Sequence, residues 1–244
     1  MVAGSGLSNF PHQRLRPTMA EIALTPLILA GGKSTRMKSP KHLLTMPDGR
    51  PLYQHQCKVL AKACPESPVV YMSLAQDSKV DGLQRTNISC DDEQDKAPSA
   101  STDAPKVRII HDLHPNETIE SAGPAAGLLA AFSSNPHATW LVVSCDSPFL
   151  NTAVLERLRG EYEPPVTCFR NSEGFCEPLI GIWSPEALGR LAENAARGRA
   201  GPSAVVKGLG GKQITLPDAL ERSLVDVNTK EEWDAALEIL NSSG

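Results

Sequence analysis

Two glycines, Gly31 and Gly32, end the apolar run "LTPLILA", and four cations, Lys33, Arg36, Lys38 and Lys41, follow within ten positions. Glycines lack the side chain that would hold a bound anion away from backbone N–H groups. Clustered cations can neutralise a polyphosphate while a bond to phosphorus breaks. The pattern predicts a triphosphate site, with a solvated basic loop as the alternative.

Two further stretches carry carboxylates at the ends of apolar runs. After "LVVSC" comes Asp146, and Ser147-Pro148 then stop the strand. An aspartate at such a tip can hold Mg²⁺, which takes one or two carboxylates and fills its remaining positions with phosphate and water. The competing role, capping the next helix, falls better to Asn151. In "SLVDVNTKEEW", Asp226 and Asn228 are two apart, so an extended chain projects both from one face. Asp226 could supply a second carboxylate to the metal, or it could cap a turn. Asp112 follows the "VRII" run and could also reach the mouth of a sheet. His111 reads as a strand-end surface histidine and Cys145 as a small core residue with no base beside it. Arg197 and Arg199 either grip an acceptor phosphate or form a basic helix C-terminus.

The string Gly32-Lys33-Ser34-Thr35 imitates the tail of a Walker A loop. That loop needs another glycine five positions earlier, where this chain has Leu27 inside the predicted strand. The match is coincidental.

These residues need elements to position them. Strands are predicted at Leu24 to Ala30, Pro68 to Ser73, Val107 to Ile110, Trp140 to Cys145, Val166 to Phe169 and Leu179 to Trp183. Helices are predicted at Pro51 to Ala63, Pro124 to Ser133, Asn151 to Arg159 and Pro185 to Ala196. A last helix carries Trp233, Ala236, Leu237 and Leu240 on one stripe, opened by a Thr229/Glu232 capping box. The alternation implies an α/β fold with a mostly parallel central sheet, and runs apolar on both faces require helices on both sides, a three-layer α/β/α arrangement. In such a sheet, ligands bind beyond the carboxyl ends of the strands, where the candidate residues stand.

Residues 1–22 lack helical periodicity and are expected to form a disordered tail, with an organelle transit segment as an alternative. Residues 23–244 are expected to form a single domain, interrupted at about 75–106 by a polar, Asp/Ser/Ala/Pro-rich insertion expected to be mobile. A net charge of −4 from 24 basic and 28 acidic residues gives no field for nucleic acid or an anionic membrane, which leaves a small-molecule partner. The six cysteines form no CxxC pair and follow no secretory signal, and no apolar run approaches the ~20 residues that span a bilayer. A cytoplasmic location is expected.

The stretch "LAGGKSTRMKSPKHLL" (residues 29–44) resembles the signature loop LAGGxSxRMGxxK of the MobA-like NTP transferases. "GPAAGLLAAF", "SCDSPFL", "EPLIGIW" and "VDVNTKEEW" resemble the later landmarks of that family, in order. The resemblance runs from about Leu24 to Leu240 and implies the Rossmann-like nucleotidyltransferase fold. It further implies nucleotide contacts from Leu29, Ala30, Gly31 and Gly32, phosphate contact from Lys41, Mg²⁺ on Asp146, and nucleotide contact from Asp112. The chain departs from the pattern at Lys38, where the family carries glycine.

The implied activity is Mg²⁺-dependent transfer of a nucleoside monophosphate from an NTP, GTP by resemblance, to a phosphorylated acceptor, molybdopterin by resemblance, with release of pyrophosphate. Arg36, Lys41 and Asp146 are the expected catalytic residues, with Asp226 as a second metal ligand. Cytidylyl transfer, a sugar-phosphate or polyol-phosphate acceptor, and an inactive nucleotide-binding regulator are the alternatives.

Overall fold

The computed structural model describes residues 22–31, 37, 39–75, 88–90, 105–112 and 123–242. Of the candidate residues, Gly32 and Arg36 lie outside the described residues, as do Lys33 and Lys38, most of the N-terminal tail and most of the polar insertion.

From β1 (Leu24–Leu29) the chain passes through a 3-10 turn (Lys41–Leu43) into α1 (Leu52–Ala63). It continues as β2 (Val69–Leu74), β3 (Ile88–Cys90), β4 (Lys106–His111), α2 (Pro124–Ser134), β5 (Thr139–Ser144), α3 (Thr152–Gly160), β6 (Val166–Arg170) and β7 (Cys176–Trp183). Then come α4 (Pro185–Ala196), α5 (Pro202–Gly208), β8 (Lys212–Thr215), α6 (Asp218–Glu221) and α7 (Lys230–Ser242). The strands form one sheet in the order β3-β4-β2-β1-β5-β7-β6-β8. Only β7 runs against its neighbours; every other pairing is parallel.

Side-chain alternation along the central strands builds the two sides of the core. Ile28 of β1 and Leu141 and Val143 of β5 pack with Tyr53, Cys57 and Leu60 of α1 and Val154, Leu155 and Leu158 of α3. On the other face, Leu27, Trp140 and Val142 pack with Leu128 of α2, Leu188 and Leu191 of α4, and Val205 and Val206 of α5. The result is the expected α/β/α stack with a mostly parallel sheet. Pro26 is tolerated in β1 because pairing with β2 begins only at Leu27, so the missing N–H falls before the second ladder starts.

A third, smaller apolar cluster matters most for the site. Trp233 and Ala236 of α7 pack against Met37, Met46, Leu52 and Val227, and thereby fix the loop after β1 against the segment that leads into α7. The helix begins as its capping box predicts: Glu232 N–H donates to Thr229 Oγ1 at 3.2 Å, and Thr229 N–H donates to Glu232 Oε2 at 3.1 Å. Asn151 caps α3 by accepting from Val154 N–H at 3.2 Å, which leaves Asp146 clear of that task.

Four elements lack a sequence signal. β3 pairs with β4 inside the polar insertion, where no periodic apolar run marks it. The α5 segment "PSAVVKG" is too short to show a helical period, α6 buries none of its residues, and β8 buries only Ile214. β7 starts at Cys176, three residues before the predicted start, because Cys176 and Glu177 are polar yet continue the pairing with β6.

Candidate active site

β1 lies between β2 and β5, so the chain crosses to one side of β1 first and returns on the other. A crevice forms beyond the carboxyl ends at such a switch point, and the candidate residues gather there. Backbone bonds hold the strand ends together: Ala30 N–H donates to Ser73 O at 2.8 Å and Cys145 N–H to Leu29 O at 3.0 Å.

On the β5 side, Lys41 from the 3-10 turn donates to Asp146 Oδ2 at 2.8 Å and to Asn228 Oδ1 at 2.9 Å. Asp146 is held from its other oxygen by the Ser144 hydroxyl. Asp226 accepts from Ser147 Oγ at 2.7 Å, and the backbone between Asp226 and Asn228 is pinned by Val227 N–H donating to Asp146 O at 2.9 Å. The segment is not a strand, yet both of its polar side chains reach the site while Val227 turns into the core between them.

On the β2 and β4 side, Asp112 sits buried at the end of β4 with its carboxylate bonded to the Ser73 hydroxyl. The same carboxylate lies over Gly31, where a Cβ would collide with Asp112 Oδ2. Gly31 is therefore required for close approach rather than for an unusual φ. Leu29 and Ala30 are buried beneath the turn, so what they can offer a ligand is backbone.

Among the described residues, burial and neighbouring carboxylates raise Asp226 and Glu177 on the β5 side. Asp226 is pushed up to about 7, first by partial burial and then by the Asp146 charge, with Glu177 adding to it; the Ser147 hydroxyl and the Lys41 ammonium pull the other way. Asp226 is open to solvent along one side, which screens these charges. Burial also raises Glu177, and the Asp146 charge adds to the rise. The Asp146, Asp226 and Glu177 carboxylates, set against the Lys41 ammonium, make this side of the crevice rich in oxygen donors among the described residues. Among the described residues no group of three or more His, Cys, Asp or Glu side chains is placed to hold a metal ion by itself.

The model of the MobA-like NTP transferase domain matches residues 26–214. The chain belongs to that family. Curated relatives of the MobA-like chain include the molybdenum cofactor biosynthesis bifunctional protein of Synechocystis sp., 28% identical over 220 residues that cover 88% of this chain. Another is the molybdenum cofactor guanylyltransferase of Burkholderia vietnamiensis, 30% identical over 148 residues that cover 60% of this chain. The match spans only 54% and 60% of those two proteins' own lengths. Among solved structures, molybdopterin-guanine dinucleotide biosynthesis protein A from Archaeoglobus fulgidus shares the fold with a TM-score of 0.63 at 18% identity, covering 90% of this chain and all of that one. The family match ends before Asp226 and Asn228, which the fold brings beside Ser147 and Lys41.

Several site residues escaped the sequence reading. Asn228 was legible only as the partner in spacing of Asp226, Ser147 only as a strand stop, and Ser73 and Ser144 carried no signal of their own. Glu177 stood inside the quoted "EPLIG" stretch, but its facing direction depends on the early start of β7. Other residues keep to the surface or the core: His111 is exposed at the end of β4, Arg197 and Arg199 are exposed at the C-terminus of α4, and Cys145 is buried with its thiol raised by that burial. Among the described residues no helix is long and apolar enough to cross a membrane.

Proposed function

We propose that this MobA-like chain transfers a nucleoside monophosphate from a nucleoside triphosphate to a phosphate group on a small acceptor and releases pyrophosphate. GTP is the donor and molybdopterin the acceptor that the relatives' names favour. The observation that carries the reading is the Lys41 to Asp146 pair, one cation from the glycine loop and one carboxylate from the β5 tip, meeting at the switch point.

In this reading an acceptor phosphate oxygen attacks the α-phosphorus in line. A new P–O bond forms, the bond to the α,β-bridging oxygen breaks, and its electron pair leaves with pyrophosphate. The glycine turn offers backbone N–H groups to the triphosphate, and Asp112 borders the same turn. Lys41 takes up charge on the departing pyrophosphate, a task that Arg36 shares on sequence grounds. Asn228 and Asp146 hold the Lys41 ammonium at the crevice so that it is oriented before substrate enters. Asp146, with Asp226 beside it, would hold Mg²⁺, which supplies neutralisation of the triphosphate charge.

The test is a pyrophosphate-release screen of GTP, CTP, ATP and UTP against molybdopterin and a panel of phosphorylated acceptors, with and without Mg²⁺ and EDTA. Release only with GTP and molybdopterin supports the proposal. Release with CTP or with a sugar or polyol phosphate shifts the substrate assignment, and triphosphate binding without release across the panel makes the chain a nucleotide-binding regulator.

A further inference from the structure

Cys168 of β6 and Cys176 of β7 place their sulfur atoms 3.3 Å apart. The pair spans a short hairpin closed by Asn171, whose N–H donates to Phe175 O at 2.9 Å and whose Oδ1 accepts from Phe175 N–H at 2.9 Å. Pairing slips between Cys168 and Phe169, so the two thiols approach diagonally across a bulge. Directly opposite Cys168 stands Gly181, where a Cβ would lie 3.0 Å from the Cys168 Cβ, and this leaves the thiol free to lean toward Cys176.

We propose that Cys168 and Cys176 form a thiol–disulfide couple that closes by exchange with a low-molecular-weight disulfide. The two sulfurs are unequal, and the inequality assigns their roles. Cys168 is fully buried, whereas Cys176 is half-exposed at the start of its strand. The Cys176 thiol is held below its ordinary value first by the hydrogen bond from Cys168, against partial burial and the Glu177 charge, with Lys207 and Arg170 adding smaller favourable contributions. Cys176 is therefore the attacking thiolate and Cys168 the resolving thiol. Cys176 attacks one sulfur of the external disulfide, the external S–S bond breaks, and the released thiolate takes a proton. Cys168 then gives up its proton and attacks the Cys176 sulfur of the mixed disulfide, which expels the second thiol. Two protein thiols are oxidised and one external disulfide is reduced to two thiols.

The bond must bring the sulfurs closer by roughly 1.2 Å, from the 3.3 Å contact to a covalent length of about 2.05 Å. Glu177, next to Cys176 in β7, accepts from Asn171 Nδ2 at 2.8 Å, so the hairpin that carries both thiols is closed at its turn by side-chain as well as backbone bonds.

The full chain is equilibrated with graded mixtures of reduced and oxidised glutathione, acid-quenched, alkylated and mapped by mass spectrometry. A Cys168–Cys176 cross-linked peptide is expected, with Cys57, Cys64 and Cys145 still alkylated after unfolding. Cys168→Ser is expected to accumulate glutathione on Cys176, and Cys176→Ser to form neither product. A pair that stays fully alkylated under oxidised glutathione alone, or a wild-type chain that stops at glutathionylated Cys176, overturns the couple.

Discussion

The Lys41 ammonium and the Asp146 carboxylate meet at 2.8 Å although 105 positions separate them in the chain. Both side chains are largely withdrawn from solvent, at 14% and 17% exposure, so the pair is neither a screened surface contact nor a sealed core bridge. Partial access is what a group needs if it is to be oriented in advance and still exchange its partner for a substrate phosphate.

Lys41→Met should therefore separate chemistry from folding. Loss of one preorganised charge donor is expected to lower pyrophosphate release by about 100-fold or more, with triphosphate affinity reduced. Asp146→Asn keeps the shape and removes the charge, and should lose Mg²⁺-dependent release. If Lys41→Met kept both turnover and affinity within about threefold of the parent, the loop assignment would be wrong.

Gly31 and Asp112 offer a second test, because their proximity is steric. Gly31→Ala drives a methyl into the Asp112 carboxylate. The expected cost is about 1–3 kcal/mol, as for overpacking elsewhere, together with weaker triphosphate binding. Asp112→Ala removes the obstacle, so the double variant should be less destabilised than the sum of the singles. Urea unfolding of the four proteins measures the coupling, and strict additivity would show that the two residues do not touch.

His42 follows Lys41 and is buried with no hydrogen-bond partner for Nε2 among the described residues. Burial lowers its imidazole from 6.5 to about 4. Above pH 6.5 the ring is neutral in both folded and unfolded chains, and stability is unaffected. As pH falls from 6.5 to 4 the unfolded chain binds a proton that the folded chain refuses, so stability is lost across that window. The loss amounts to about 3 kcal/mol at the acid end. His42→Leu lacks this titration, while the other acid-titrating groups stay common to both proteins. Urea midpoints between pH 7.5 and 4 should show the variant gaining on the parent as acid is added; parallel curves would mean that His42 is protonated when folded.

What could be read in advance followed from periodicity and spacing. The ends of β1 and β5, expected at Ala30 and Cys145 and found one residue earlier at Leu29 and Ser144, the helix of α1 and the capping box of α7 announce themselves because one local signal decides each. The glycine turn and Asp146 stand out in the sequence as candidates for chemistry because their residue types are costly to place without a purpose. Asn228, Ser73 and Glu177 do not, since each acquires its direction from tertiary pairing: Asn228 from the turn around buried Val227, Ser73 from its neighbour strand, and Glu177 from the antiparallel run of β7. Short elements such as β8 and α6 bury too few side chains to leave a pattern.

Trp233 shows how far from the chemistry the site is held. It is only 6% exposed and packs in one cluster with Met37, Met46, Leu52 and Val227. Met37 and Met46 bracket the turn that carries Lys41, and Val227 separates Asp226 from Asn228 while its N–H holds Asp146 O. Trp233→Ala should cost about 3–5 kcal/mol by opening a cavity, whereas Trp233→Phe should cost less. The functional effect is expected to exceed the loss of folded material. With Lys41 and Asn228 no longer fixed relative to Asp146, turnover per folded molecule should fall, because small displacements of a positioned charge are costly in rate. Thermal unfolding gives the folded fraction and pyrophosphate release gives the rate on the same samples. A Trp233→Ala protein with lowered stability and unchanged turnover per folded molecule would reduce α7 to a cover, and the positioning of Lys41 would then rest on bonds such as those to Asp146 and Asn228.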